Sequence, residues 1–270
     1  MAGRDTFQDQ GAEFLRSANE SSTYDYQEYM PAATQELAGT ELHVVLDDDA
    51  GWIDVRFGDG SVEFARGGAG EPDVEGDSAC QVFRMSGPVY FVTFLLAPDR
   101  SCVLLLDLER RVVTAVRGTR RDDGGIESAI TGGYVDGAGD APAARHAAVS
   151  LAGTRIRNDY AHNVVYQHIY LNERYETWLS LDGPQRGQAD TEEYLAFKIA
   201  DHVYCTFWNE KVLTTQMTFL FDFAAGTCVC EVFGTTGGER VYNTIGATTR
   251  VIHSEIPELD VPRLSLLAAE

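Results

Sequence analysis

Basic residues are scarce in this chain: 21 Lys and Arg stand against 42 Asp and Glu, a formal charge of −21 over 270 residues. So acidic a surface repels phosphate backbones and anionic headgroups, which excludes nucleic acid and membrane surfaces from the expected partners. Long apolar runs are missing too. None approaches the roughly 20 residues of a spanning helix, and Met1 to Asp5 lead into polar sequence rather than an apolar signal core. Cysteines are few and odd in number (Cys80, Cys102, Cys205, Cys228, Cys230), with no C-x-x-C spacing. Cys228 and Cys230 alternate along an expected strand and share one face, a poor arrangement for a disulfide. Free buried thiols in a reducing compartment are expected, and hence a cytoplasmic protein. There is no H-x-H, no H-E-x-x-H and no Cys/His cluster, so no metal site is expected. There is no G-x-S-x-G elbow and no phosphate-cradling glycine loop before a helix, so no nucleotide cofactor is expected either.

What the chain has is a repeat. Leu37-Ala38-Gly39-Thr40 returns 114 positions later as Leu151-Ala152-Gly153-Thr154, and Val89-Tyr90 returns at the same offset as Val203-Tyr204. Asp107 answers Asp222 and Gly118 answers Gly234 once one- and two-residue insertions are allowed. Solenoid units recur at roughly 20–50 residues, so a period this long indicates a duplicated domain.

Period-2 alternation predicts strands throughout both copies. Leu42, Val44 and Leu46 alternate, as do Ile53, Val55 and Phe57, and Gly58-Asp59-Gly60 between two such runs is a hairpin signal. The acidic, Gly-rich stretch 66–78 reads as a loop. The Gly-, Asp- and Ala-rich stretch 119–149 reads as a linker. Phe7, Phe14 and Leu15 hint at a short helix and Pro31 at the start of another. The expected fold is all-β: tandem antiparallel barrels at 37–118 and 150–256, behind a polar or helical extension at 1–36 and ahead of a tail at 257–270. Unpaired sheet edges would allow a homodimer.

A small barrel has room for side chains or one small ligand, so function depends on which residues point inward. The 114-residue offset supplies a comparison. Leu96 corresponds to Glu210, Phe94 to Trp208, Phe64 to Trp178, Val44 to Asn158 and Leu46 to Tyr160. Leucine, valine and phenylalanine are core fillers, so these positions are expected to face a lumen. The second copy then carries a carboxylate, an amide and a phenol where the first carries hydrocarbon. A carboxyl in that place is costly to bury and shifts toward the pKa that a general acid or base needs near neutrality. Glu210, Tyr160 and Asn158 are therefore the candidate catalytic residues. Trp178, Trp208, Tyr204, Tyr166 and His168 are the candidate wall. By the same offset His168 matches Asp54 and Tyr166 matches Trp52.

The Gly153-Thr154 start, Tyr160, Tyr166 and the strand Tyr204-Cys-Thr-Phe-Trp208-Asn-Glu210 resemble the phenolic acid decarboxylases, small lipocalin-like barrels of the calycin group. Taken together, 37–118 and 150–236 resemble the two-domain MoaF family. The decarboxylase resemblance implies that Tyr160 stands for a tyrosine that grips the substrate carboxylate and Glu210 for the glutamate that handles the phenol proton. Tyr160 matches the second tyrosine of that family's pair and Asn158 stands where the first would be, and its arginine falls near Ser180, with Arg186 in the adjacent loop. A carboxylate and a phenol in an aromatic cavity suit cofactor-free acid/base chemistry. The expected function is therefore of the lyase, isomerase or cyclase type on a small aromatic or conjugated molecule, with secondary metabolism as the setting the family suggests. The alternative expectation is a lipocalin-like binding protein without turnover.

Overall fold

Alternating apolar and polar residues give each strand one face for a core and one for solvent. In the computed structural model, which describes residues 24–68, 71–137, 139–236 and 239–259, these strands close into two barrels. The first is built from β1 (Glu41–Leu46), β2 (Trp52–Phe57), β3 (Ser61–Gly68), β4 (Glu71–Arg84), β5 (Val89–Ala97), β6 (Arg100–Asp107), β7 (Val112–Arg120) and β8 (Ile126–Val135). Neighbours in sequence pair antiparallel, and β8 closes the ring on β1 through Val44↔Val135. A two-residue β9 (Ala147–Ala148) leads to the second barrel. It comprises β10 (Arg155–Ala161), β11 (Val164–Tyr170), β12 (Tyr175–Asp182), β13 (Ala189–Ala200), β14 (Val203–Asn209), β15 (Thr215–Asp222), β16 (Thr227–Thr236) and β17 (Glu239–His253). Here β17 pairs with β10, and β12 with β13, to complete the circle. Among the described residues no helix is long and apolar enough to cross a membrane.

Three expectations change. Residues 119–149 are not all linker, because β8 lies within them. Its glycines reflect close packing rather than looseness: a Cβ at Gly133 would collide with the Val45 carbonyl across the closing seam. The stretch 66–78 is not a loop, since β3 runs to Gly68 and β4 starts at Glu71. No helix begins at Pro31. Residues 24–34 are irregular, with a turn closed by the Met30 N–H on the Gln27 carbonyl, and their backbone joins both barrels: Thr34 N–H donates to Val82, Tyr29 N–H donates to Tyr160, and the Tyr26 carbonyl accepts from Gly246. The helix suggested by Phe7, Phe14 and Leu15 lies outside the described residues. Both sheets close, while β9 remains an edge strand on β13.

Each lumen has its own core. The first is predominantly apolar, with Val44, Leu46, Phe64, Phe94, Leu96 and Leu104 in contact, and Arg66 is buried on the same face of β3 as Val62 and Phe64. The second is richer in aromatics, including Tyr160, Tyr170, Trp178, Trp208 and Phe219. A third core lies between the barrels, where Phe83, Phe91 and Leu105 of the first meet Cys205, Leu220 and Val229 of the second. Glu231 is fully buried in this seam. It accepts hydrogen bonds from Thr93 (3.1 Å) and Ser101 (3.4 Å) of the first barrel and from Gln216 (3.2 Å) of the second.

Candidate functional site

Strand pairing aligns the two lumens residue by residue. Val44 pairs with Ile53 in the first barrel, and Asn158, the counterpart of Val44, pairs with Tyr166 in the second. Tyr166 therefore stands in the place of Ile53, and His168 in the place of Val55, not of Trp52 and Asp54 as a uniform 114-residue offset implies. The path from Asn158 to its partner Tyr166 is one residue shorter than the path from Val44 to its partner Ile53, which moves the register by one and turns His168 inward. Two strands on, Phe57 pairs with Val62 and Tyr170 with Glu176. Glu176 thus occupies the place of Val62. It is a further exchange of grease for charge, legible at the 114-residue offset but not singled out from the sequence.

At one end of the second barrel these residues enclose a cavity of about 200 Å³. Six of the expected residues line it: Glu210, Tyr160, Trp178, Trp208, Tyr166 and His168. Their rings form a continuous chain of edge and tilted contacts, with centroids 5.8 Å apart for Tyr160 and Tyr166 and 6.2 Å for Tyr166 and Trp178. On the far side Trp208 stacks on Phe219 at 4.9 Å, and His168 lies against both.

Glu210 follows β14, and its backbone N–H is tied to the Thr215 carbonyl across the hairpin. Its side chain is buried. Oε1 accepts from the Trp208 indole N–H at 3.2 Å, and Oε2 has no partner. Burial, and then the charge of Glu192, push the Glu210 carboxyl up to about 8. Glu176 and Glu192 sit directly opposite each other across β12 and β13, both pointing inward, an unfavourable pairing of like groups. Glu192 is relieved by Lys211, whose backbone N–H donates to it and whose ammonium lies 3.6 Å away. Burial raises the Glu192 carboxyl to about 7. Glu176 faces His168 Nδ1 at 3.4 Å, and burial raises its pKa as well. The Tyr160 and Tyr166 hydroxyls are held well above their ordinary range by burial, so both stay protonated.

Two expected residues do not reach the cavity. Asn158 faces the interior off the cavity wall, and its Oδ1 is taken by the Thr249 hydroxyl at 2.6 Å. Tyr204 lies six residues before Glu210, about 20 Å along an extended strand. Its hydroxyl donates to Glu258 in the 3-10 turn Pro257–Leu259, which packs Leu259 into the opposite end of the core. One wall residue comes from outside the barrel. Tyr26, in the segment ahead of β1, packs on Tyr160 with centroids 5.7 Å apart and hydrogen-bonds the Tyr166 hydroxyl at 3.2 Å. No periodicity marks that segment, so the sequence offers no signal for it. Gln185, in the loop after β12, accepts from Tyr166 at 2.8 Å.

The cationic grip implied by the decarboxylase resemblance is not assembled. The Ser180 hydroxyl donates to the Asp182 carbonyl, Arg186 is exposed, and among the described residues no Lys or Arg lines the cavity. No group of three or more His, Cys, Asp or Glu among the described residues is arranged to hold a metal ion.

Fold and site together define a tandem β-barrel protein whose second lumen keeps an aromatic cavity with a buried carboxyl. Residues 22–122 match the MoaF N-terminal domain and residues 145–255 the MoaF C-terminal domain. The chain belongs to the MoaF family. Protein MoaF of Klebsiella aerogenes is 29% identical over 107 residues, which cover 38% of this chain and 41% of that protein. The match thus spans less than half the length of that curated relative. Solved structures give distant likenesses. A putative β-lactamase from Burkholderia vietnamiensis has 21% identity and a TM-score of 0.33 over 38% of this chain and 95% of its own. A protein of unknown function from the DUF3598 family of Nostoc punctiforme has 10% identity and a TM-score of 0.37 over 78% of this chain and 95% of its own.

Proposed function

We propose that the second barrel is the working half of the molecule, a cofactor-free acid/base site for a small aromatic or conjugated compound, and that the first barrel is its scaffold. The observation that carries this reading is the Glu210 carboxyl, with one oxygen fixed by Trp208 and the other unpartnered at the wall of an aromatic cavity. An unsatisfied buried carboxyl oxygen is costly unless a ligand completes it. With its pKa raised to about 8, Glu210 holds its proton at pH 7 yet can release it there, the condition for efficient proton transfer in either direction. Tyr160, Tyr166, Trp178 and Trp208 give flat surfaces for a conjugated ring, and the unpartnered Trp178 indole N–H offers a donor to an oxygen on it. The size is suited to a compound of one ring, since a lumen of about 150 Å³ holds benzene.

The test is native mass spectrometry of the purified chain to identify a co-purifying compound, followed by incubation of that compound with wild type and Glu210→Gln. Conversion by wild type, with binding but no conversion by Glu210→Gln, is the expected result. Binding without conversion by wild type would assign the barrel to ligand storage or transport and overturn the enzymatic reading.

A further inference from the structure

The second lumen has an excess of buried carboxyl groups with little to balance them. Glu176, Glu192 and Glu210 stand in one sector of its wall, on β12, on β13 and just after β14, and each is nine-tenths or more buried. Their compensation is uneven. Glu192 has Lys211, whose side chain is more than half exposed. Glu176 has the His168 ring, with neither carboxyl oxygen in hydrogen-bond geometry. Glu210 has one indole N–H, and its Oε2 has nothing. Around that bare oxygen the cavity presents the aromatic rings of Tyr160, Tyr166, Trp178 and Trp208 and, among the described residues, no lysine or arginine. Aromatic faces carry negative potential and attract cations, most strongly where water is excluded, and a carboxylate beside them adds to the same field. An anionic ligand would meet aromatic faces and the bare Glu210 oxygen and, among the described lining residues, no cation to pair with. An uncharged one would leave the field unused.

We propose that the charge class of the ligand is positive: the cavity receives an organic cation, a quaternary or protonated ammonium on a carrier of about one ring, with the charge seated between Glu210 and the aromatic faces. This rests on the reading of the second barrel as a small-molecule site and fixes what kind of molecule enters it. It also gives Glu210 a definite state in the complex, an ionised partner to the ligand's charge.

The experiment compares molecules of one shape and different charge on the full chain by isothermal titration calorimetry at pH 7.5. The probes are phenyltrimethylammonium, its uncharged isostere tert-butylbenzene, and benzoate as the anion. The expected result is binding of phenyltrimethylammonium at least about tenfold tighter than tert-butylbenzene, with no heat from benzoate. Glu210→Gln is expected to reduce that preference severalfold while tert-butylbenzene binding persists. The readout on wild type stands even if the variant folds poorly. Equal or tighter binding of tert-butylbenzene would overturn the cation assignment and leave the small-molecule site standing. Binding of benzoate alone would do the same. No binding by any of the three would overturn the site itself.

Discussion

Replacing Glu210 by leucine, the residue that fills the same place in the first barrel, should stabilise the protein at neutral pH and destabilise it in mild acid. In the unfolded chain the carboxyl titrates at its ordinary value of 4.5, whereas in the barrel it is pushed up to about 8 by burial and by Glu192. Folding at pH 7 therefore requires uptake of a proton, at a cost of about 3 kcal/mol. Leucine removes that cost. It also strips the Trp208 indole N–H of its acceptor, a loss of about 1–2 kcal/mol. The balance at pH 7 is a gain of about 1–2 kcal/mol. The sign follows from the direction of the shift: a carboxyl raised in the fold lowers stability progressively as pH climbs from 4.5 toward 8, and is neutral below 4.5. At pH 4.5 only the lost hydrogen bond remains, so Glu210→Leu should be less stable than wild type by about 1–2 kcal/mol, with the crossover at about pH 5.5–6. Urea unfolding of both proteins at pH 4.5, 5.5, 7 and 8.5, followed by tryptophan fluorescence, measures this directly. A stability difference that does not change with pH would refute the reasoning, because it would mean that Glu210 titrates alike in the folded and unfolded chain.

Other perturbations probe other parts of the molecule. Glu231→Ala strips Thr93, Ser101 and Gln216 of their shared acceptor between the barrels and should cost about 3 kcal/mol, with a single unfolding transition in calorimetry separating into two as the halves uncouple. Gly246→Val places side-chain atoms where Met30 now lies against β17, and should lift the 24–30 segment from the second barrel. Faster proteolysis within that segment, together with stronger acrylamide quenching of tryptophan, is the expected outcome. The five cysteines are free and buried, and burial raises Cys80, Cys102 and Cys228 to about 12. Ellman's reagent should find no thiol reacting quickly in the native protein and all five in guanidinium.

The parts of the fold that were legible in the sequence are those in which local pattern and burial agree. Alternation placed Val44, Leu46, Phe94 and Leu96 in a lumen, and the repeat carried that assignment to Tyr160, Trp208 and Glu210. Where residue type and role diverge, the reading went astray. The glycines of β8 look like a linker because glycine serves both loose turns and tight seams, and only the closing pair with β1 tells them apart. His168 was placed in the wall, but its match to Asp54 is off by one because a path one residue shorter between paired positions is invisible until pairing is known. Tyr204 has the right orientation but lies at the wrong end of its strand, a distance that composition does not encode. Asn158 points inward, but Thr249, 91 residues later, takes its oxygen. Tyr26 comes from a segment without periodicity, and nothing short of the tertiary structure joins it to β10.

That last contact bears on how the site comes into being. Tyr26 precedes both barrels in the chain, yet it walls a chamber whose final stave, β17, is made more than two hundred residues later. On the ribosome the chamber stays incomplete until nearly all of the described chain has emerged and its leading end has doubled back to the trailing domain. A gene fragment encoding the later barrel alone would yield a vessel short of one panel.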